Sequence, residues 1–244
     1  MKLIRSIKAA SLLMSNTKTF YPFKVFEGKR VAIIGAADTA FKEPNGDYIE
    51  SFDLVVRVNK AIQSWKPEYE AYLGRRTDVL FHSFFENDYS GGGPVDFDLF
   101  REFGVKYPVN PNRNLKGAIA HLNFYKRHLT PSQTYILDAH NHKLIKEKLN
   151  TWTPTVGFSA LASLLNSPCK EVFITGFTFF KTPYAKGYRD QFLSQEANAA
   201  HIKEQGLHNP DLEYRSFLEL YRNSSCKEVQ CDQALELIIK ENPV

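Results

Sequence analysis

Apolar residues gather in short continuous runs over much of the chain, and several runs stop at a glycine or a polar amide. Residues 31–34 read Val-Ala-Ile-Ile and end at Gly35. Residues 53–58, 78–83, 134–137 and 172–175 repeat the type, the last closing at Gly176, and 104–109 is a sixth candidate. Strands that are apolar along their whole length are covered on both faces, as in a parallel sheet. Between these runs the apolar positions take helical spacing, over 115–129, 140–149, 157–165, 210–222 and 232–240. The alternation predicts an α/β fold built on a single Rossmann-like, doubly wound, mostly parallel sheet. Residues 88–94, Asp-Tyr-Ser-Gly-Gly-Gly-Pro, predict a flexible loop.

The pattern divides the chain into an N-terminal amphipathic segment, residues 1–28, and one domain, residues 29–244. In the segment Leu3, Ile4, Ile7, Leu12 and Leu13 alternate with Lys2, Arg5 and Lys8. The apolar run is too broken for a signal peptide and falls short of the ~20 residues of a spanning helix. Two readings stay open. The segment is a first helix packed on the core, or residues 1–14 are a peripheral foot on a membrane surface.

Composition narrows the class. With 43% hydrophobic and 24% charged residues, neither a disordered chain nor a membrane bundle fits. A net charge of +4 is too mild to call for nucleic acid and suits an anionic small ligand or an anionic membrane. Three cysteines, Cys169, Cys226 and Cys231, are too few and odd for a disulfide framework and point to a reducing compartment.

Candidate chemistry sits where strands end. Gly35 lets the backbone approach a phosphate or ribose, although no further glycine completes a dinucleotide fingerprint. Asn59 ends the second run, as a nucleotide contact or a turn cap. Pro154, Thr155 and Gly157 open an apolar helix whose free N–H groups and hydroxyl make an anion site, or an ordinary cap. In His-Asn-Pro-Asp-Leu-Glu, residues 208–213, Asn209 caps a helix with Pro210 in its first turn. His208 is then a candidate general base and Glu213 a carboxylate able to orient it, against the plainer reading of a capping box. Asp96 and Asp98 form a D-x-D, read as acids in a first helical turn rather than metal ligands.

In order and spacing these pieces resemble the sialyltransferase family of the eukaryotic type, glycosyltransferase family 29. Val-Ala-Ile-Ile-Gly, Val-Arg-Val-Asn and Gly-Arg-Arg-Thr are similar to its long motif. Residues 153–177 are similar to the short motif, and His208 to Glu213 to the last. The resemblance implies a variant GT-A glycosyltransferase domain, a CMP-activated acidic sugar as donor and a glycan or glycolipid acceptor. It implies inversion, no metal and no separate cofactor. By position it implies that Gly35, Ala36, Asn59, Thr155, Gly157 and Gly176 line the CMP pocket and that His208 and Glu213 are catalytic. A further histidine on the leaving phosphate would be His201, with Tyr184 or Tyr188 as alternatives.

The chain departs from the family in three ways. Ala36 replaces an asparagine, so Asp38 or Thr39 would substitute for it or the donor would differ. Cys169 has no cysteine near Val31 to pair with, and anchor and stem are missing. These departures point to a bacterial or viral enzyme in the cytoplasm; the membrane-foot reading of residues 1–14 would place it at the inner membrane surface. CMP-Kdo or another CMP-nonulosonate is the alternative donor, and an NAD(P)-dependent or non-catalytic Rossmann protein is the alternative class. Acceptor contacts are expected from the 88–94 loop and residues 179–204.

Overall fold

The computed structural model describes residues 2–87, 91–190 and 194–242, apart from the side chains of residues 195, 197 and 199. Of the expected 88–94 loop, residues 88–90 lie outside the described residues. The strands are β1 (Thr17–Phe20), β2 (Arg30–Ile34), β3 (Leu54–Val58), β4 (Val79–Phe81), β5 (Tyr107–Asn110), β6 (Thr134–Leu137), β7 (Glu171–Thr175) and β8 (Val229–Cys231). The helices are α1 (Lys2–Asn16), α2 (Pro22–Phe26), α3 (Gly46–Glu50), α4 (Glu70–Leu73), α5 (Phe97–Glu102) and α6 (Leu115–His128). They continue with α7 (Ala139–Leu149), α8 (Val156–Leu165), α9 (Gln195–Gln205), α10 (Pro210–Arg222) and α11 (Gln233–Glu241).

The strands form one sheet in the order β1-β6-β5-β4-β3-β2-β7-β8, and every strand pairing is parallel. The chain runs outward from β2 through β3 to β6, then returns to lay β7 on the other side of β2. Such a reversal opens a crevice beyond the carboxyl ends of the strands. The six expected strands occur. The candidate over 104–109 narrows to Tyr107–Asn110, because Gly104, at φ +80°, is still turning the chain out of α5.

The two edge strands, β1 and β8, escape the apolar pattern. Only the last residue of each is buried, whereas β2, β3 and β7 bury their last four. An edge strand is half-solvated and so loses the continuous run that marks a central one.

Successive strand residues point to opposite faces. Val31, Ile33, Val56, Val79 and Phe81 pack with Phe158, Leu161 and Leu165 of α8. Ala32, Ile34 and Val55 pack on the other face with Ile49 and Phe52. Every residue of α8 from Phe158 to Leu165 is buried. Its serines stay satisfied, since Ser159 Oγ donates to the Thr155 carbonyl at 2.9 Å and Ser163 Oγ to that of Ser159 at 2.7 Å.

Arg57 lies in β3 at 1% exposure, and its guanidinium donates to the Leu73 carbonyl (2.6 Å) and to Thr77 Oγ1 (3.0 Å). Burial lowers its pKa to about 10. The Val-Arg and Gly-x-x-Thr parts of the long motif therefore hold two segments of chain together. Helix α1 packs against α6 with Ala9 buried, and Arg5 donates to the carbonyls of Lys126 and Arg127. Leu3, Ile4 and Ile7 stay exposed at 74%, 71% and 62%. Among the described residues no helix is long and apolar enough to cross a membrane.

Candidate active site

The carboxyl ends of β2, β3, β4, β5 and β7 open on a cleft of roughly 490 Å³, reached by Ala36, Asn59, Ser83, Asn112 and Gly176. Two helices present their N-termini to it, α6 through Asn114, Lys116 and Gly117, and α8 through Thr155, Val156 and Gly157. First-turn amides have no acceptor within their own helix, so these ends carry donors and partial positive charge.

At the head of α8, Thr155 is the N-cap and its Oγ1 accepts from Phe158 N at 3.0 Å. The same hydroxyl donates to Glu213 Oε2 at 2.8 Å, and Thr155 N donates to Glu213 Oε1 at 2.6 Å. The expected free hydroxyl is thus engaged, and the amides of Val156 and Gly157 are what the helix end offers an anion. Glu213 is 2% exposed. Burial pushes its carboxyl up to about 8, although both bonds from Thr155 favour the charged form.

His208 lies before α10, where Asn209 caps the helix through Leu212 N (3.0 Å) and Pro210 begins it, as the local sequence requires. His208 Nδ1 is 2.7 Å from the Thr153 carbonyl. A carbonyl only accepts, so Nδ1 carries the proton and Nε2 keeps its lone pair. Burial holds the imidazole below its ordinary pKa of 6.5; the Thr153 carbonyl opposes the shift and the Arg189 charge adds to it. The ring is neutral at pH 7 and lines the cleft. The expectation that Glu213 orients it is corrected. The Thr153 carbonyl orients His208, while Glu213 holds Thr155, because the two loops interleave with Thr153 N donating to the Leu207 carbonyl (2.9 Å).

The other expected positions fall into two groups. Ala36, Asn59, Thr155, Gly157 and Gly176 line the cleft with His208 and Glu213, and Gly35 and His201 do not. A Cβ on Gly35 would stand 2.1 Å from the Gly176 carbonyl oxygen, so this glycine serves the close passage of two strand ends rather than a ligand. Gly176 has φ +71°, a conformation that favours glycine, and its N–H is taken by Asp232 Oδ2 at 2.8 Å. Asn59 also has positive φ, +48°, and its Oδ1 accepts from Ser83 N at 3.2 Å. Ala36 accepts from Ala185 N at 2.9 Å, and Ala37 forms a bridge with Tyr184.

That clasp brings Tyr184 and Tyr188 into the cleft wall with their rings stacked 5.3 Å apart. Burial pushes the Tyr184 phenol up to about 12 and that of Tyr188 up as well, so both remain hydroxyl donors at neutral pH. Of the candidates for the leaving phosphate, the tyrosines line the cleft and His201, on α9, stands outside the lining. Asp38 and Thr39, the expected substitutes for the family's asparagine, stand outside it too. Asp96 caps α5 through Asp98 N and Leu99 N, and Asp98 pairs with Arg101. Cys169, Cys226 and Cys231 are unbridged.

Sequence reasoning missed Ser83, Asn112, Lys116, Arg189 and Asn198 among the lining residues. The first three carry a signal of the kind used for α8, a polar residue beyond a strand end or at a helix start. Arg189 and Asn198 lie within residues 179–204, expected as acceptor contacts, but no apolar periodicity singles out either residue there.

The sequence profile of glycosyltransferase family 29 (sialyltransferase) matches residues 4–225. No curated protein sequence matches the chain. Among solved structures, the crystal structure of a mammalian sialyltransferase in complex with Gal-beta-1-3GalNAc-ortho-nitrophenol is similar at a TM-score of 0.55 and 16% identity. That similarity covers 90% of this chain and 77% of the other. A further mammalian sialyltransferase structure gives 0.55 and 17% identity, covering 91% and 78%. The structural likeness carries the fold, and the profile, over nearly the whole chain, carries the family: this protein belongs to glycosyltransferase family 29, the sialyltransferases.

Proposed function

We propose that this sialyltransferase-like enzyme moves sialic acid or a related acidic sugar from a CMP-sugar to a glycan hydroxyl, inverting the anomeric carbon and using no metal. One observation carries the reading. A neutral histidine, its proton held on Nδ1 by the Thr153 carbonyl, lines the same cleft as the free N-terminus of α8. In the reaction the acceptor oxygen attacks the anomeric carbon while the bond to the CMP phosphate breaks. His208 Nε2 takes the hydroxyl proton, and CMP leaves with the electron pair. The amides of Val156 and Gly157 and the hydroxyl of Tyr184 meet the phosphate as charge develops, while the Tyr188 hydroxyl donates to the Val58 carbonyl at 3.5 Å. A single displacement inverts the carbon. A monophosphate leaving group lacks the diphosphate that a bridging metal usually serves, so activity is expected to survive a chelator.

A second donor keeps its place for one reason: Ala36, which replaces the family's asparagine, lines the cleft. CMP-Kdo carries the same carboxylate beside the anomeric carbon. The exposed Leu3, Ile4 and Ile7 beside Lys2, Arg5 and Lys8 support peripheral contact of α1 with an anionic membrane, where a glycolipid acceptor would reside. The odd, low cysteine number supports a reducing, cytoplasmic setting.

The test is a thermal-shift series with CMP, CDP, UDP and NADH, followed by turnover of CMP-sialic acid against CMP-Kdo in EDTA. The reading expects stabilisation by CMP and turnover of a CMP-nonulosonate. Stabilisation by NADH and not by CMP would restore the oxidoreductase reading.

A further inference from the structure

Part of the cleft wall is built by residues 179–204, from which the sequence predicts acceptor contacts. Arg189 lines it at 7% exposure, its guanidinium carbon 5.8 Å from the Tyr184 ring centroid. A Cβ placed on Gly91 would stand 3.8 Å from Arg189 Nη2 and 3.1 Å from Asn59 Nδ2, so the guanidinium lies near the end of β3. Its charge also acts on His208, Tyr184 and Tyr188, so it lies within electrostatic reach of the candidate base and of both tyrosines.

Asn198 of α9 lines the same cleft at 0% exposure. Neither its Nδ2 nor its Oδ1 has a hydrogen-bond partner among the described residues. A buried amide with both ends unmet is costly, and in a ligand cleft the simplest remedy is the ligand.

Charge points the same way. Among the described lining residues, Lys116 and Arg189 are the lysine and arginine and Glu213 is the carboxylic acid, its carboxyl pushed up to about 8 by burial. These described lining residues together carry a positive charge near pH 7. A CMP-linked acidic sugar brings two negative groups, a phosphodiester and a carboxylate, both attached to the anomeric carbon. If the phosphate faces the N-terminus of α8, the carboxylate needs a second cation close to His208. A guanidinium meets a carboxylate through two parallel N–H bonds. Asn198 needs a group that both donates and accepts, which a carboxylate is not and a sugar hydroxyl or acylamino group is.

We propose that Arg189 and Asn198 form the sugar pole of the donor site, Arg189 pairing with the carboxylate beside the anomeric carbon and Asn198 bonding a neutral hydroxyl or acylamino group of the sugar. The assignment rests on the CMP-sugar reading above. It makes the two residues determinants of sugar affinity and not of nucleotide affinity.

The experiment measures, for wild type and for Arg189→Met, Arg189→Lys and Asn198→Ala, the Kd of CMP and the KM for hydrolysis of CMP-sialic acid and of CMP-Kdo. Wild-type binding of CMP tests the donor reading by itself. The sugar-pole assignment expects Arg189→Met to raise KM for both donors by about tenfold or more, the scale of a hydrogen bond to a charged group. The Kd of CMP should change by less than about threefold, on the same conversion. Arg189→Lys keeps the charge without the fork and should fall between, which preserves the test if the Met variant does not fold. Asn198→Ala should raise KM for CMP-sialic acid; an equal rise for CMP-Kdo marks a shared hydroxyl, and a smaller one marks the acylamino group. Equal loss of CMP and CMP-sugar affinity in the arginine variants, or no loss in either, would overturn the assignment.

Discussion

Glu213 is a buried carboxyl whose two oxygens both accept from Thr155, so desolvation and hydrogen bonding oppose each other at one side chain. Desolvation is the larger cause, and the folded pKa of about 8 stands above the ordinary 4.5. A folded pKa raised above the unfolded one gives a contribution to stability that is complete below about 4.5 and is lost as pH rises through about 8. Glu213→Gln does not titrate. The melting temperature of wild type minus that of Glu213→Gln should therefore fall between these two pH values and level off on either side. A difference that stays flat across this window would mean that Glu213 is charged in the folded protein throughout. His208, Asn209 and Pro210 were legible in the sequence because a helix start is a local pattern. The partner of Glu213 was not legible, because Thr155 lies 58 residues away and only the docking of α10 on α8 brings them together.

At the scale of elements, legibility followed burial. β2, β3 and β7 are enclosed on both faces and read as strands; β1 and β8 are edges and do not. α8 read as a helix from its start signal, Pro154-Thr155-x-Gly157, which is also why the sequence offers its N-terminus as a candidate anion site. The N-terminus of α6, with Asn114 as cap to Gly117 N at 2.8 Å, uses the same device at the same cleft; Pro111 and Gly117 flank it in the sequence, yet the helix over 115–129 was read from its apolar spacing alone. For α1 the sequence left two readings, and the structure supports the packing without removing the other. Ala9 is buried, and Leu3, Ile4 and Ile7 are exposed. A Leu3→Ser/Ile4→Ser/Ile7→Ser variant should keep its melting temperature, since exposed substitutions usually act within about 0.5 kcal/mol. It should lose co-sedimentation with phosphatidylserine-containing vesicles, which wild type should show at low salt and show less at high salt. Equal sedimentation of variant and wild type would remove the membrane role of α1.

For the molecule as a whole, the parallel sheet does the positioning. Its chain reversal between β2 and β7 places Ala36, Asn59 and Gly176 at one crevice, and the segments beyond β7 close that crevice with Tyr184, Tyr188 and His208. Fold and family were recoverable from the order of short motifs, because each motif is a strand end or helix start that the sheet lines up. Yet part of what the motifs encode is architecture: Gly35 spaces two strands, and Arg57 with Thr77 ties a loop to β3. The central claim is that His208 is the base of a CMP-sugar transferase. The most direct measurement is the pH dependence of CMP-sialic acid turnover for wild type and His208→Ala, with melting temperature and CMP affinity taken on the same samples. The account predicts a wild-type acid limb below pH 6.5, as burial of the imidazole requires. It also predicts a fall in kcat of ~10²–10⁴ in the variant, with that limb gone and with fold and CMP affinity kept. Near-normal turnover by a folded His208→Ala variant would contradict it.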